Sequence, residues 1–254
     1  TVFNVVISQA LNNTTVQVNL LDEKHRPTET NVNMTFYDTY SGALRYNFIH
    51  TLNAKGLPDT LLIDPLGTYD IVVNTIPPVR KDSNKIVAGK HNTIGIDCPQ
   101  GDLFLKFDGT SDYKNLQCIV RKKDDSQTLH VQAFNTTTRY LTGNYDLEVL
   151  CLPRLIINDV NIAQSKTTTV QIPNPGMATF QSVSVGYGSV YLEKDNKLNW
   201  VCNLSETNTH ESILLQPGNY RVVFRPKISK EAIYTIEKTF RITSGSGITV
   251  NINK

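Results

Sequence analysis

The chain has 254 residues, 39% of them hydrophobic and 19% charged: enough apolar material for one large core or two to three small ones, and too little charge for a disordered tail. The 25 Lys and Arg against 23 Asp and Glu leave a formal charge of +2, which argues against a dedicated nucleic-acid or anionic-membrane surface. No apolar run approaches the roughly 20 residues that span a bilayer, so membrane insertion is not expected.

The chain opens on Thr1 with neither Met nor a signal peptide, as expected of a processed or excised fragment, and "TVFNVVISQALNN" (1–13) reads as an added strand or the end of what precedes. From there the periodicity is two. "TVQVNLL" (15–21), "NVNMTFY" (31–37), "YDIVVNTI" (69–76), "NTIGI" (92–96), "LQCIVRK" (116–122), "LHVQAF" (129–134), "YDLEVLCL" (145–152), "TTVQI" (168–172), "SVYLEK" (189–194), "YRVVFRP" (220–226), "YTIEKTFRIT" (234–243) and "GITVNI" (247–252) alternate or run apolar over short stretches rich in Val, Ile, Thr and Tyr. Turn signals separate them: "DTYSG", "KDDSQ", "EKDNK", "QPGN", "SGSG", and "GYGS" (186–189), also read as a turn. The basic run Arg121-Lys122-Lys123 is followed by Asp124-Asp125 and reads as a solvated hairpin tip. No segment offers three apolar helical turns with an N-cap and a Gly stop. The chain is expected to be all-β.

One phrase recurs. "LIDPLGTYDIVV" (62–73), "YLTGNYDLEVL" (140–150) and "LLQPGNYRVVF" (214–224) each run from an apolar approach through Gly, one spacer and Tyr into a strand. Tyr69 to Tyr145 is 76 residues and Tyr145 to Tyr220 is 75, while Gly101 and Gly176, each opening a unit just after a Pro (Pro99 and Pro175), are again 75 apart. In the third copy the last strand comes about five residues late, which places an insertion near "PKISKEAIY". Three homologous units follow, 1–97, 98–172 and 173–254, each long enough for a small antiparallel β-sandwich of the immunoglobulin-like or prealbumin-like kind. The phrase itself reads as a structural tyrosine corner. Gly67, Gly143 and Gly218 supply a sharp turn with φ > 0, and Tyr69, Tyr145 and Tyr220 sink a ring into the core edge while the hydroxyl bonds back to the loop.

The phrase "LxPGxYxVxV" after a hairpin, seen in full in "NVNMTFYDTYSGALRYNFIHTLNAKGLPDTLLIDPLGTYDIVV", resembles the carboxypeptidase-regulatory-like or prealbumin-like β-sandwich. A tandem set joined by "AGKHNTIGIDCPQGDL" also resembles the region following the von Willebrand factor A domain in some Bacteroidetes-type bacterial proteins. That resemblance implies an envelope or secreted protein whose A domain lies outside this chain.

Chemistry is sparse. His25, His50, His91, His130 and His210 form no H-x-H or H-x-x-x-H pair, and no phosphate-binding loop, dinucleotide fingerprint or nucleophile elbow occurs. Asp124-Asp125-Ser126-Gln127-Thr128 only approximates a D-x-S-x-S metal loop and lacks the α/β scaffold around it. Cys98, Cys118, Cys151 and Cys202 contain no C-x-x-C and read as buried small hydrophobes, with a Cys98–Cys151 or Cys118–Cys151 bridge as the alternative in an oxidising compartment. The sequons at Asn12, Asn13, Asn33, Asn135 and Asn203 are expected by chance in an Asn- and Thr-rich chain. Trp200 reads as a core anchor beside Val201 and Cys202, with a sugar platform as the alternative. The reading is therefore a non-catalytic accessory array with no cofactor and no metal, monomeric and extracytoplasmic, that binds a protein or glycan partner and no nucleic acid. A structural spacer, or an adhesin- or pilus-like subunit, is the alternative.

Overall fold

Val16, Val18 and Leu20 are buried while Gln17 and Asn19 between them are half-exposed, the period-2 burial that a pleated strand with one wet face imposes. The computed structural model describes residues 13–110 and 113–253, so the proposed strand before Thr15 lies largely outside the described residues. This alternation opens the first set of seven strands: β1 Thr15–Leu21, β2 Val32–Asp38, β3 Leu44–His50, β4 Thr60–Leu62, β5 Thr68–Val73, β6 Val79–Lys85 and β7 His91–Asp97. The second set is β8 Gln100–Phe107, β9 Gln117–Lys122, β10 His130–Ala133, β11 Thr137–Leu141, β12 Gly143–Val149, β13 Leu155–Ile162 and β14 Thr167–Ile172. The third is β15 Gly176–Gln181, β16 Gly186–Lys194, β17 Lys197–Asn203, β18 His210–Leu215, β19 Gly218–Pro226, β20 Ile236–Ile242 and β21 Gly247–Asn251, with a short 3-10 turn at Ala232–Tyr234.

Each set makes one three-stranded and one four-stranded sheet in the same order. The first has β4-β1-β7 and β3-β2-β5-β6, the second β11-β8-β14 and β10-β9-β12-β13, the third β18-β15-β21 and β17-β16-β19-β20. Adding seven to every strand of one set yields the next. The chain is all-β and holds three small sandwiches of one topology. One detail departs from a purely antiparallel reading: β1 pairs with β7 in parallel from Thr15↔His91 to Leu21↔Asp97, and β15 pairs with β21 in parallel. Each is the first and last strand of a set of seven, and an odd strand running beside another odd strand points the same way.

The recurring Gly-x-Tyr phrase sits at the start of the same strand in every set. Tyr69, Tyr145 and Tyr220 are all fully buried. The Tyr69 hydroxyl donates to the Asp64 carbonyl at 3.1 Å, and the Tyr220 hydroxyl to the Gln216 carbonyl at 2.6 Å. Burial pushes the Tyr145 phenol up to about 12. The glycines act differently from the φ > 0 expectation at two of three positions. Only Gly143 has a positive φ, +143°, with nothing crowding it. At Gly67 a Cβ would lie 2.2 Å from Tyr69 Oη and 2.3 Å from Cζ, and at Gly218 it would lie 2.9 Å from Leu192 Cδ1 and 3.3 Å from Tyr220 Cε2. Residues i and i+2 share a strand face, so a ring folded back along the strand needs the space a side chain two residues earlier would take.

"GYGS" is not a turn: it opens β16. Gly186 and Gly188 face inward, where a Cβ on Gly186 would be 2.4 Å from both the Arg225 carbonyl oxygen and Phe224 Cζ. Close sheet packing, not chain reversal, explains these glycines. All four thiols are free, with Cys98, Cys118 and Cys151 buried and Cys202 half-buried. Burial pushes Cys98 and Cys118 up to about 12 and Cys151 and Cys202 to about 11, so they stay protonated at neutral pH.

The chain divides into two compact units, one holding the described residues up to Leu103 with Thr138–Asn144 and Asn161–Thr168, the other Phe104–Thr137, Tyr145–Val160 and the residues from Thr169 onward. The first unit contains the core around Met34, Phe36, Tyr69 and Ile71, to which Leu141 adds its side chain while its N–H donates to the Ile76 carbonyl at 2.8 Å. The second contains the core around Tyr220, Val222, Phe224 and Phe240, which Leu152 enters while its carbonyl accepts from the Gln216 N–H at 2.7 Å. Ile76 and Leu152 each lie seven residues after a phrase Tyr, and Leu141 and Gln216 each lie four before one. The same joint is written twice.

In the first unit Glu29 is buried beside Gln100, whose backbone N–H and side-chain amide donate to it at 3.2 and 3.3 Å. Burial raises its pKa above the ordinary 4.5, more than these bonds and the Arg139 charge lower it. A raised carboxyl pKa favours the fold fully below about 4.5 and loses that contribution as pH climbs through the folded value. Glu29→Gln should therefore gain on wild type between pH 4 and 7 in denaturant titrations; a wild type that gains on the variant over that range contradicts the assignment.

Candidate binding face on the third sandwich

Because the three sandwiches share one pairing register, equivalent positions are read directly from their partners. Val190 faces Val222, two residues past Tyr220; Phe36 faces Ile71, two past Tyr69; Val120 faces Leu147, two past Tyr145. These inward positions are apolar in every copy because they build the core. The positions one and three residues away point outward, and there the copies differ. Tyr187, Ser189 and Tyr191 of β16 correspond to Asn33, Thr35 and Tyr37 of β2 and to Gln117, Ile119 and Arg121 of β9.

The first sandwich fills this face with an amide ladder, Asn33 Nδ2 donating to Asn47 at 2.6 Å and Asn74 Nδ2 to Asn33 at 2.5 Å. The second uses ion pairs, Arg121 to Glu148 at 2.8 Å and Arg154 to the same carboxylate. In both, the polar groups satisfy one another. The third exposes the Tyr187 and Trp200 rings there. Trp200 of β17 lies opposite Tyr191 across the strand pair and is 60% exposed, which overturns its reading as a core anchor. The bulge opposite Val190 and Tyr191 puts one extra residue, Val201, into β17, and Val201, not Trp200, points inward.

The ring is held. Trp200 Nε1 donates to Asn203 Oδ1 at 3.0 Å, and Ser189 Oγ donates to the same oxygen at 2.8 Å, which orients the Asn203 amide. Beside it the face dips into a hollow of about 300 Å³ lined by Tyr187, Ser189, Tyr191, Asn203, Glu206 and Arg225 among others. Lys227 lies 5.3 Å from the Tyr187 ring centroid and pairs loosely with Glu206 at 3.4 Å. Arg225, facing Tyr187 across the pair, has no carboxylate partner among the described residues. Below the hollow Arg221 is clamped between Glu193 and Glu237, and their carboxylates raise its pKa further.

The five-residue insertion falls at the edge of the hollow. It lies in the 227–235 loop between β19 and β20, which leaves Ile228 and Ile233 exposed beside Tyr234. The Lys227 N–H donates to the Val185 carbonyl at 2.9 Å, which ties this loop to the one carrying exposed Val183.

The six corner residues Gly67, Tyr69, Gly143, Tyr145, Gly218 and Tyr220 are spread one pair per sandwich and are not gathered into a site. Of the histidines, His25 contacts Asp97 at 3.1 Å, His91 contacts Thr15, and His210 contacts Gln181. His50 is buried against the Val18 carbonyl, and burial lowers its pKa. Lys123, at the hairpin tip, pairs with Asp159 at 2.9 Å. Among the described residues no three His, Cys, Asp or Glu side chains come together in a way that could hold a metal, and no helix is long and apolar enough to cross a membrane. Tyr187, Tyr191 and Asn203 were not legible as a group. The Tyr-x-Ser-x-Tyr alternation was a usable signal, hidden by reading "GYGS" as a turn.

No family model matches the chain, and no curated protein does. Among solved structures, the Bacillus anthracis TIE protein is similar at 14% identity over 94% of this chain, with a TM-score of 0.25. The chain spans about half of that protein, 50% of its length. GBS52, the minor pilin of Streptococcus agalactiae, is similar at 14% identity over 62% of this chain and 93% of its own, with a TM-score of 0.29. The pilus adhesin SpaC of Lactobacillus rhamnosus GG is similar at 11% identity over 94% of this chain and 42% of its own, with a TM-score of 0.22.

Proposed function

We propose that the chain is a non-catalytic, extracytoplasmic binding array of the adhesin- or pilus-like kind, in which the outer face of the third sandwich makes the contact. The observation that supports this is the contrast among equivalent positions. The first two copies pair off the polar groups of the outer face and leave only scattered apolar side chains such as Ile49 and Ile156 exposed there, whereas the third gathers exposed rings, an Arg without a carboxylate partner among the described residues and an added apolar loop at one hollow, none of which the fold requires. A pure spacer has no use for such a contiguous patch. The repeat limits 1–97, 98–172 and 173–254, a monomeric state, and a parent bearing a von Willebrand factor A domain belong to the same reading, the last through the resemblance of the tandem set and its linker alone. The Gly-x-Tyr corners serve in it as scaffold and touch no ligand.

The test uses the intact chain, immobilised and presented with glycan and protein panels from cell surfaces. Binding should be lost on combining Tyr187→Ala, Trp200→Ala and Arg225→Ala, and kept when Asn33 and Asn47 of the first sandwich are changed to Ser. Equal binding by both variants, or none by wild type, favours the spacer.

A further inference from the structure

We propose that the Trp200 face recognises a saccharide, one ring stacking on Trp200 while its hydroxyls reach the hollow; this rests on the binding reading above and names the chemistry of that same face. A pyranose presents flat patches of C–H on one side and a rim of hydroxyl groups in its plane. Its receptor therefore needs a rigid aromatic plane beside planar polar groups that both donate and accept. Trp200 supplies the plane, with Tyr191 opposite it across the strand pair, and its Nε1 bond to Asn203 fixes the ring before any ligand arrives.

Asn203 is the link between plane and rim. Its Oδ1 accepts from Trp200 and Ser189, its Nδ2 has no protein partner among the described residues, and the residue lines the hollow. Arg225 adds a fork of N–H donors and Glu206 an acceptor, giving the hollow both polarities. At about 300 Å³ the hollow stands at the small end of ligand pockets, suited to a sugar unit or two. A protein partner is the less favoured occupant here. The centre of a protein interface is typically depleted in charge, whereas Glu193, Arg221, Glu237, Arg225, Lys227 and Glu206 surround these rings.

The chain contains a single Trp, so its emission reports on this face alone. The full chain is titrated with a panel of neutral disaccharides and uronic-acid-containing oligosaccharides while Trp emission and its quenching by acrylamide are followed, and heats of binding are measured in parallel. A saturable blue shift with protection from acrylamide is expected for at least one saccharide. Calorimetric affinity should fall roughly tenfold or more in Trp200→Ala and far less in Trp200→Phe, which keeps a stacking plane. Arg225→Ala should also weaken binding without altering thermal unfolding. Saccharide binding that leaves emission unchanged and survives Trp200→Ala places the sugar elsewhere and overturns the inference. If no saccharide binds, but a purified protein ligand binds and is lost in Trp200→Ala, the saccharide is overturned while the binding face stands. If nothing of either class binds, both fail.

Discussion

Tyr220→Ala should cost the third sandwich about 3–5 kcal/mol, the range for emptying a buried aromatic site, out of a total stability on the order of 5–15 kcal/mol. The ring is fully buried, stacks on Phe240 at 5.5 Å with planes 17° apart, and donates its hydroxyl to the Gln216 carbonyl. That carbonyl belongs to the residue whose N–H bonds Leu152, so the ring also secures the joint at which Leu152 enters this core. Tyr220→Phe separates the two effects. It keeps the packing and leaves one buried acceptor unpaired, for a loss of about 1–3 kcal/mol. Thermal unfolding read through Trp200 emission follows this sandwich specifically. Should the Phe variant lose as much as the Ala variant, the hydroxyl and not the ring holds the corner; should neither lose more than about 0.5 kcal/mol, the corner is not a folding device.

The second large effect is expected from one methyl group. Gly67→Ala places a Cβ at 2.2 Å from the Tyr69 hydroxyl and 2.3 Å from the ring carbon that bears it. The ring cannot swing clear, because it is packed against Phe36 and Tyr46 and tied to Asp64. Overpacking of this kind costs about 1–3 kcal/mol. The decisive measurement is the double-mutant cycle. In a Tyr69→Ala background the same Gly67→Ala change meets empty space and should cost far less, so the two losses combine well below their sum. Strict additivity contradicts the steric account and returns the glycine to a purely conformational role. Gly143→Ala is the internal contrast. Nothing crowds that position, so its cost comes from the φ of +143° and should persist with or without Tyr145.

These two predictions mark where the sequence was readable. Alternating burial in "TVQVNLL" and the spacing of the three Tyr depend on one strand and its immediate neighbours, so β1, β5, β12 and β19 were legible, and with them the triplication. Strands such as β6, "VRKDSNK", were not. It carries four charged residues and takes its place by pairing with β5 from Thr68↔Lys85 to Val73↔Val79, so no apolar period announces it. Gly186 and Gly188 misled for a related reason. A glycine demanded by a neighbouring sheet reads the same as one demanded by a turn until that neighbour is in place.

The chain alone therefore determined its fold class, its three repeats and the buried phenol in each, because these follow from local period and from a phrase copied at a constant step. The direction in which Trp200 points, the meeting of Tyr187, Tyr191 and Asn203, and the difference between a self-satisfied face and an open one were decided only by the tertiary structure. The physical reason is that a strand's two faces are written in alternate letters, but which of them meets a second sheet and which meets water is set by pairing partners distant in the chain. A single bulge is enough to reverse it.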